Sequence, residues 1–167
     1  EIFINNLIKH NEFELKPQTH YLSRYNPRLN TEVSGFIDWN LNSYDLINFI
    51  NAFDDPYVGA STYIDNKKFG KLFIKKAQLH AGDSSNHPFM QGIISRHDGD
   101  WIVVSTKGKY MLLIEEVLDK NSKNIISHLK AGDRFFTPPD ILRNAKSERV
   151  FYSTKGKKRL KKSIKRI

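Results

Sequence analysis

The sequence predicts a small α+β domain in which one clear helix precedes about five short antiparallel strands. Three observations carry that expectation. Apolar residues recur at helical spacing over residues 43–53 and at alternating, β-type spacing between residues 60 and 117. Turn formers cut the second stretch into pieces that suit hairpins. The chain has 167 residues, 39% hydrophobic and 27% charged, which is enough for one ordinary core. A sheet of that size must close on itself or be covered, so either a covered α+β sheet or a partly open barrel is expected.

Each element has a local reason. Ile2-Phe3-Ile4 and Leu7-Ile8 have helix-compatible spacing, but the stretch starts on Glu1 with neither Met nor cap, so the chain is expected to begin mid-protein. Lys16 to Asn40 carries Pro17, Pro27, Gly35 and many Asn and Thr residues without periodicity, which reads as an extended connector. Over 43–53, Leu46, Ile47, Phe49, Ile50 and Phe53 share one helical face. Asn42 or Ser43 can cap it, with Asp45 at the third position if Asn42 is the cap. Asp54-Asp55-Pro56 ends it, because the residue before proline avoids the α conformation.

The predicted strands are 60–64, 72–79, 92–95, 101–106 and 110–117, rich in β-branched and aromatic residues. Asp65-Asn66, His97-Asp98-Gly99-Asp100 and Lys107-Gly108 stand between them as turns. Residues 122–130 read as a short helix with Ile125, Ile126 and Leu129 inward and Gly132 past its end. Thr137-Pro138-Pro139-Asp140 reads as a start signal, with Thr137 as cap, for a helix over 138–149.

Composition excludes several classes of function. There is no cysteine, hence no disulfide, thiolate nucleophile or cysteine-ligated metal. No apolar run reaches the ~18–20 residues of a membrane span, and the start lacks the order of a secretory signal. A cytoplasmic protein is expected. The net charge of +9 is unevenly placed: residues 143–167 hold eleven bases against Glu148 alone, while the first 142 residues hold sixteen bases and seventeen acids. The fold is neutral and the basicity belongs to a tail. Within that tail Leu160, Ile164 and Ile167 recur at helical spacing, so it reads either as a solvated end or as a basic amphipathic helix on a polyanion or acidic membrane surface.

Chemistry-bearing residues are sparse. Histidines 10, 20, 80, 87, 97 and 128 are scattered; only His80 and His87, with Asp83, could converge across a loop, and a solvated loop accounts for them as well. No metal site is assigned. Asp54-Asp55 reads as helix termination, and Glu115-Glu116 as carboxylates on opposite faces of a strand. No nucleophile–base or phosphate-loop motif is present, and no catalytic residue is assigned. Phe69, Phe73, Trp101 and Tyr110 are either core or platforms for stacking bases.

Certain residues say more than the patterns. Tyr25-x-Pro27-Arg28, Thr31-Glu32, Gly35-Phe36-Ile37-Asp38-Trp39, then a helix running into Asn51-Ala52-Phe53-Asp54-Asp55-Pro56-Tyr57-Val58-Gly59-Ala60, resemble the start of the C-terminal domain in the methionyl-tRNA formyltransferase family. The resemblance continues through the strand ending at His80, the Asp98-Gly99 and Lys107-Gly108 turns and the Glu115-Glu116-Val117 strand, and spans roughly residues 20–118. Gly132-Asp133-Arg134-Phe135-Phe136-Thr137-Pro138 looks like an extension found in some relatives.

The resemblance implies an α+β, oligonucleotide-barrel-like domain over 41–118 with flanking helices. Residues 1–40 would be the end of the catalytic domain and an interdomain connector, 119–152 a helical extension and 153–167 a basic tail. It implies a non-catalytic part of a formyltransferase that packs against a catalytic domain and positions an amino acceptor. The donor, 10-formyltetrahydrofolate, would be bound by the full enzyme and not by this chain. The motif residues carried over are Tyr25, Arg28, Asp38, Trp39, Pro56, Gly59 and Ala60. Asp38 and Trp39 would anchor the connector, with the indole buried and the carboxylate on backbone N–H groups; Pro56 and Gly59 would shape the turn into the first strand.

The acceptor stays open. Asn51 and the run Asp54-Asp55-Pro56-Tyr57-Val58 depart from the tRNA-modifying pattern and look closer to relatives that formylate nucleotide- or lipid-linked amino sugars. A tRNA acceptor would need Lys67, Lys68, Lys71, Lys75 and Lys76 on one side of the barrel, with Lys155, Lys157, Lys158, Arg159, Lys161 and Lys162 of the tail. The alternative function is a stand-alone nucleic-acid-binding module working through that tail.

Overall fold

The computed structural model describes residues 30–148 apart from 66–67 and 83–84, together with positions 4, 5, 8, 17 and 19 and two short strands after residue 150. The connector's last part is not simply extended. Asn30 accepts a hydrogen bond from Glu32 N at 3.3 Å and starts a single helical turn, α1 (Thr31–Ser34). Beyond it the backbone straightens, and Phe36 makes a parallel bridge to Ser61 through Ser61 N to Gly35 O (2.7 Å) and Ile37 N to Ser61 O (2.9 Å).

Helix α2 (Ser43–Ala52) starts with Asn42 as cap. The Asn42 side chain accepts from Asp45 N at 3.0 Å, which satisfies one free helical donor, and its Nδ2–H donates to the Asp45 carboxylate at 2.6 Å, which holds the cap in place. Leu46, Ile47 and Ile50 are buried, as is Phe53 just past the end, and the helix packs on the sheet mainly at its second strand.

The sheet has six antiparallel strands: β1 (Ala60–Ile64), β2 (Leu72–His80), β3 (Ile94–Asp98), β4 (Trp101–Val104), β5 (Met111–Leu118) and β6 (Phe135–Phe136), in the order β3-β4-β5-β2-β1-β6. Five match the alternating stretches of the sequence, with small changes at their ends. The third starts later than expected because Gly92 and Ile93 are used elsewhere: Gly92 N bonds to Ser105 O, Gly92 O accepts from Phe135 N, and Ile93 bridges Arg134.

That last bridge brings the two edges of the sheet together. Ile94 N reaches Asp133 O and Gly132 N reaches Ile94 O, both at 2.8 Å, so segment 132–136 joins β1 on one side and the start of β3 on the other. The result is a half-barrel of the oligonucleotide-barrel type. Gly92 permits this approach, since its φ is +77° and a Cβ there would collide with Phe135 O. The barrel therefore extends past residue 118, and its closing strand stands inside the segment expected to be a helical extension.

Within that segment, the helix expected over 122–130 is replaced by a single 3-10 turn, Ile126–His128. Asn124 bridges Leu118, its side chain accepts from Val117 N and Ile126 N, and Ile125 N bonds to Val117 O. The β5 edge thus takes up bonds that a helix would make internally. Ile125, Ile126 and Leu129 are buried all the same. Helix α3 (Pro139–Ser147) forms close to its expected position, but Thr137 does not cap it; its hydroxyl donates to Ile37 O at 2.6 Å. In the tail, β7 (Phe151–Tyr152) pairs with β8 (Lys158–Arg159), so positions 158–159 are strand and not helix. Leu160, Ile164 and Ile167 lie outside the described residues. Among the described residues no helix is long and apolar enough to cross a membrane.

Candidate functional site: the connector anchor

Trp39 is the centre of the anchor. It is 6% exposed, its ring stacks on Phe135 (centroids 5.6 Å apart, planes 7° from parallel), and its Nε1–H donates to Thr62 Oγ1 at 2.9 Å. The Thr62 hydroxyl in turn donates to Phe136 O at 3.1 Å. One buried side chain on β1 therefore ties the connector to the closing strand.

Asp38, beside it, accepts from Asn40 N (3.2 Å) and Asn40 Nδ2 (3.1 Å) on one oxygen and from Lys146 Nζ of α3 (2.9 Å) on the other. Burial by itself raises the Asp38 carboxyl, but Lys146 and the Asn40 donors outweigh it and hold the group below its ordinary value. Thr137, at the approach to α3, adds its bond to Ile37 O. Thr62, Phe135, Thr137 and Lys146 are absent from the sequence-derived site, because nothing local marks a partner 23 to 108 residues away.

The turn into β1 is built from Pro56, Gly59 and Ala60. The Asp55–Pro56 peptide is cis, Gly59 N bonds to Phe53 O, and Ala60 is buried. Gly59 has φ +108°, and a Cβ there would stand 2.9 Å from both Ile74 O and Lys75 Cγ, so the turn presses directly on β2. Asp54 and Asp55 do more than end α2. Both pair with Lys75, at 3.5 and 2.5 Å, and Asp54 also accepts from Lys76 N at 3.0 Å, where the strand bends at φ +47°. Burial raises the Asp54 carboxyl, but the Lys76 and Asp55 N–H groups and the Lys75 charge bring it below its ordinary value. The Asp55 hydrogen bond, helped by both carboxylate charges, raises Lys75 against the opposing effect of its burial.

The barrel lysines are accordingly not a uniform stripe. Lys75 is 8% exposed and neutralised in place, and Lys76 leans toward Glu116 at 3.6 Å. Lys71 lies over the rings of Phe36 (4.6 Å) and Phe73 (5.1 Å); desolvation lowers its pKa, with Glu32 opposing. Lys68 is exposed. Lys158 and Arg159 belong to β8. Tyr25, Arg28, Lys67, Lys155, Lys157, Lys161 and Lys162 lie outside the described residues.

The four aromatic candidates are half-buried, and each has a neighbour. Phe69 packs on the core beside His128, Phe73 lies under Lys71, Trp101 under Arg96 (4.8 Å), and Tyr110 against Tyr44 (5.4 Å). His87 caps the 3-10 turn Pro88–Met90 by accepting from Phe89 N, and Asp83 lies outside the described residues. Among the described residues no three His, Asp or Glu side chains gather as a metal site. Glu115 is exposed, with Gln78 reaching it, while Glu116 is half-buried.

A family model for the formyl transferase C-terminal domain matches residues 31–131, more than half of the chain. The chain belongs to this family. The match opens on α1, includes the Asp38-Trp39 anchor, the Pro56–Ala60 turn and β1 to β5, and stops just before β6. Beyond the matched span this formyl transferase C-terminal domain carries the closing strand and α3.

Proposed function

We propose that this chain is the C-terminal, non-catalytic part of a 10-formyltetrahydrofolate-dependent formyltransferase, and that it holds a preceding catalytic domain so that an amino acceptor is presented correctly. The observation that carries this reading is the anchor. The chain entering at residue 30 is fastened to the barrel by the Phe36–Ser61 bridge, Trp39–Thr62, Asp38–Lys146 and Thr137–Ile37. A connector fastened at four points fixes the direction of whatever precedes it, and positioning at ångström scale governs rate when two reactants must meet.

An amino-sugar acceptor is favoured over tRNA because Lys71, Lys75 and Lys76 are engaged with rings or carboxylates on the barrel and offer phosphate a weakened stripe.

Formyl transfer to a nucleotide-linked amino sugar and to aminoacyl-tRNA tests this reading. The full-length enzyme should formylate the sugar, Trp39→Ala should lower kcat more than it raises the acceptor KM, and residues 1–167 alone should give no turnover. Turnover by residues 1–167 alone overturns the non-catalytic role. Tight tRNA binding whose log affinity falls with log salt by ~0.7–0.9 per phosphate, and which ends on truncation after Tyr152, overturns the sugar acceptor in favour of the basic tail.

A further inference from the structure

Helix α3 stands outside the span that the family model matches, so its role rests on its own contacts. It has two unlike faces, with Ile141, Leu142 and Ala145 half-buried and Arg143, Asn144 and Lys146 exposed, yet none of its residues is fully buried. Besides its contact with α1, two side-chain bonds attach it among the described residues. At its start the Thr137 hydroxyl holds Ile37 O at 2.6 Å, and in its last turn Lys146 holds Asp38 at 2.9 Å. Between them Leu142 and Ala145 face Phe36, Leu41 and Phe49 across a cleft of about 380 Å³. The cleft is partly open to solvent, so the helix covers its apolar floor incompletely. Among the described residues the helix is therefore pinned near its ends, touches α1, and is only partly packed in its middle.

We infer that α3 is a strap over the connector, latched by the Lys146–Asp38 pair, which moves between a closed state and an open one that exposes the apolar floor of Phe36, Leu41 and Phe49. The Lys146 side chain is 69% exposed, so salt screens the pair and its hold is modest. Asp38 keeps its two bonds from Asn40 when the latch opens, and Ile37 keeps its bond to Ser61, so the strap moves while the connector stays in place. The Lys146–Asp38 pair is also one of the connector's four fastenings, so the strap rests on the anchor, and its test reads exchange and not turnover.

Hydrogen exchange on the full 167-residue chain tests it without any activity assay. The informative amides are Leu142, bonded to Pro138 O, and Glu148, bonded to Asn144 O. In Lys146→Ala at low salt they should exchange about two- to fivefold faster than in the unmodified protein, and molar salt should bring the unmodified protein to the same rates. The β2–β5 ladder around Ile74 and Ile114 should not change. Ala145→Leu, which fills part of the cleft, should slow the same α3 amides, and Lys146→Arg should restore the original rates. α3 amides indifferent to both Lys146→Ala and salt overturn the latch. Parallel acceleration of the ladder amides overturns the strap, because α3 would then open only with the whole barrel.

Discussion

Thr62→Val keeps the shape of a fully buried side chain and removes only its hydroxyl, which makes it the sharpest probe of the anchor. Thr62 is 0% exposed, accepts from Trp39 Nε1 and donates to Phe136 O. Valine leaves the indole N–H without its partner in a site closed by Trp39 and Phe135, whereas Phe136 is exposed and its carbonyl can turn to water. One orphaned buried donor costs about 1–3 kcal/mol. For a fold of about 120 residues, with an unfolding entropy near 2.1 cal/mol/K per residue, that lowers Tm by roughly 4–12 °C. Calorimetry and urea unfolding would measure it. Thr62→Ser is the control, since it keeps the hydroxyl and loses one methyl, at a cost of ~1 kcal/mol. A valine variant at least as stable as the serine variant would refute the hydrogen-bond account and leave packing as the reason for a β-branched residue here.

Three further outcomes follow from the anchor and the turn beside it. Phe135→Ala should destabilise the domain by about 3–5 kcal/mol by opening a cavity beside Trp39, and a chain ended at Lys130 should lose the near-ultraviolet dichroism of that indole; a folded, unchanged spectrum after truncation would show that the barrel does not need β6. Asp38 and Asp54 both sit below their ordinary value of 3.8 in the fold, so the stability they add is present above about pH 4 and is lost as pH falls through their lowered folded values. Urea midpoints should therefore fall as pH drops below about 4, with a shallower fall in Asp38→Asn; an identical decline in that variant would remove Asp38 from the account.

Much of the barrel is legible in the order of the residues. Helix α2 with its Asn42 cap and the strands β1, β2, β4 and β5 follow from periodicity within ten or so residues, which the chain carries locally. The third strand is displaced from its expected start because Gly92 and Ile93 serve the closure. Strand β6 gives no signal because two residues cannot display a period, and a 3-10 turn replaces the helix at 126–128 because Asn124 and Ile125 bond to β5 and not to their own neighbours. At the site, a motif marks Asp38, Trp39, Pro56, Gly59 and Ala60. Of the five barrel lysines, Lys75 proves to be buried against Asp54 and Asp55, which the charge pattern does not reveal.

By itself the sequence determined the α+β class, the family, the neutral body with its basic tail, and the residues on which the connector turns. Only the tertiary structure decided what those residues hold: Trp39 on Thr62 across 23 residues, Asp38 on Lys146 across 108, and the sheet's two edges at Ile93 and Arg134. The reason is physical. Periodicity and capping are set by near neighbours, whereas the partner of a buried indole or a half-buried carboxylate is set by which distant segment the half-barrel brings within about 3 Å.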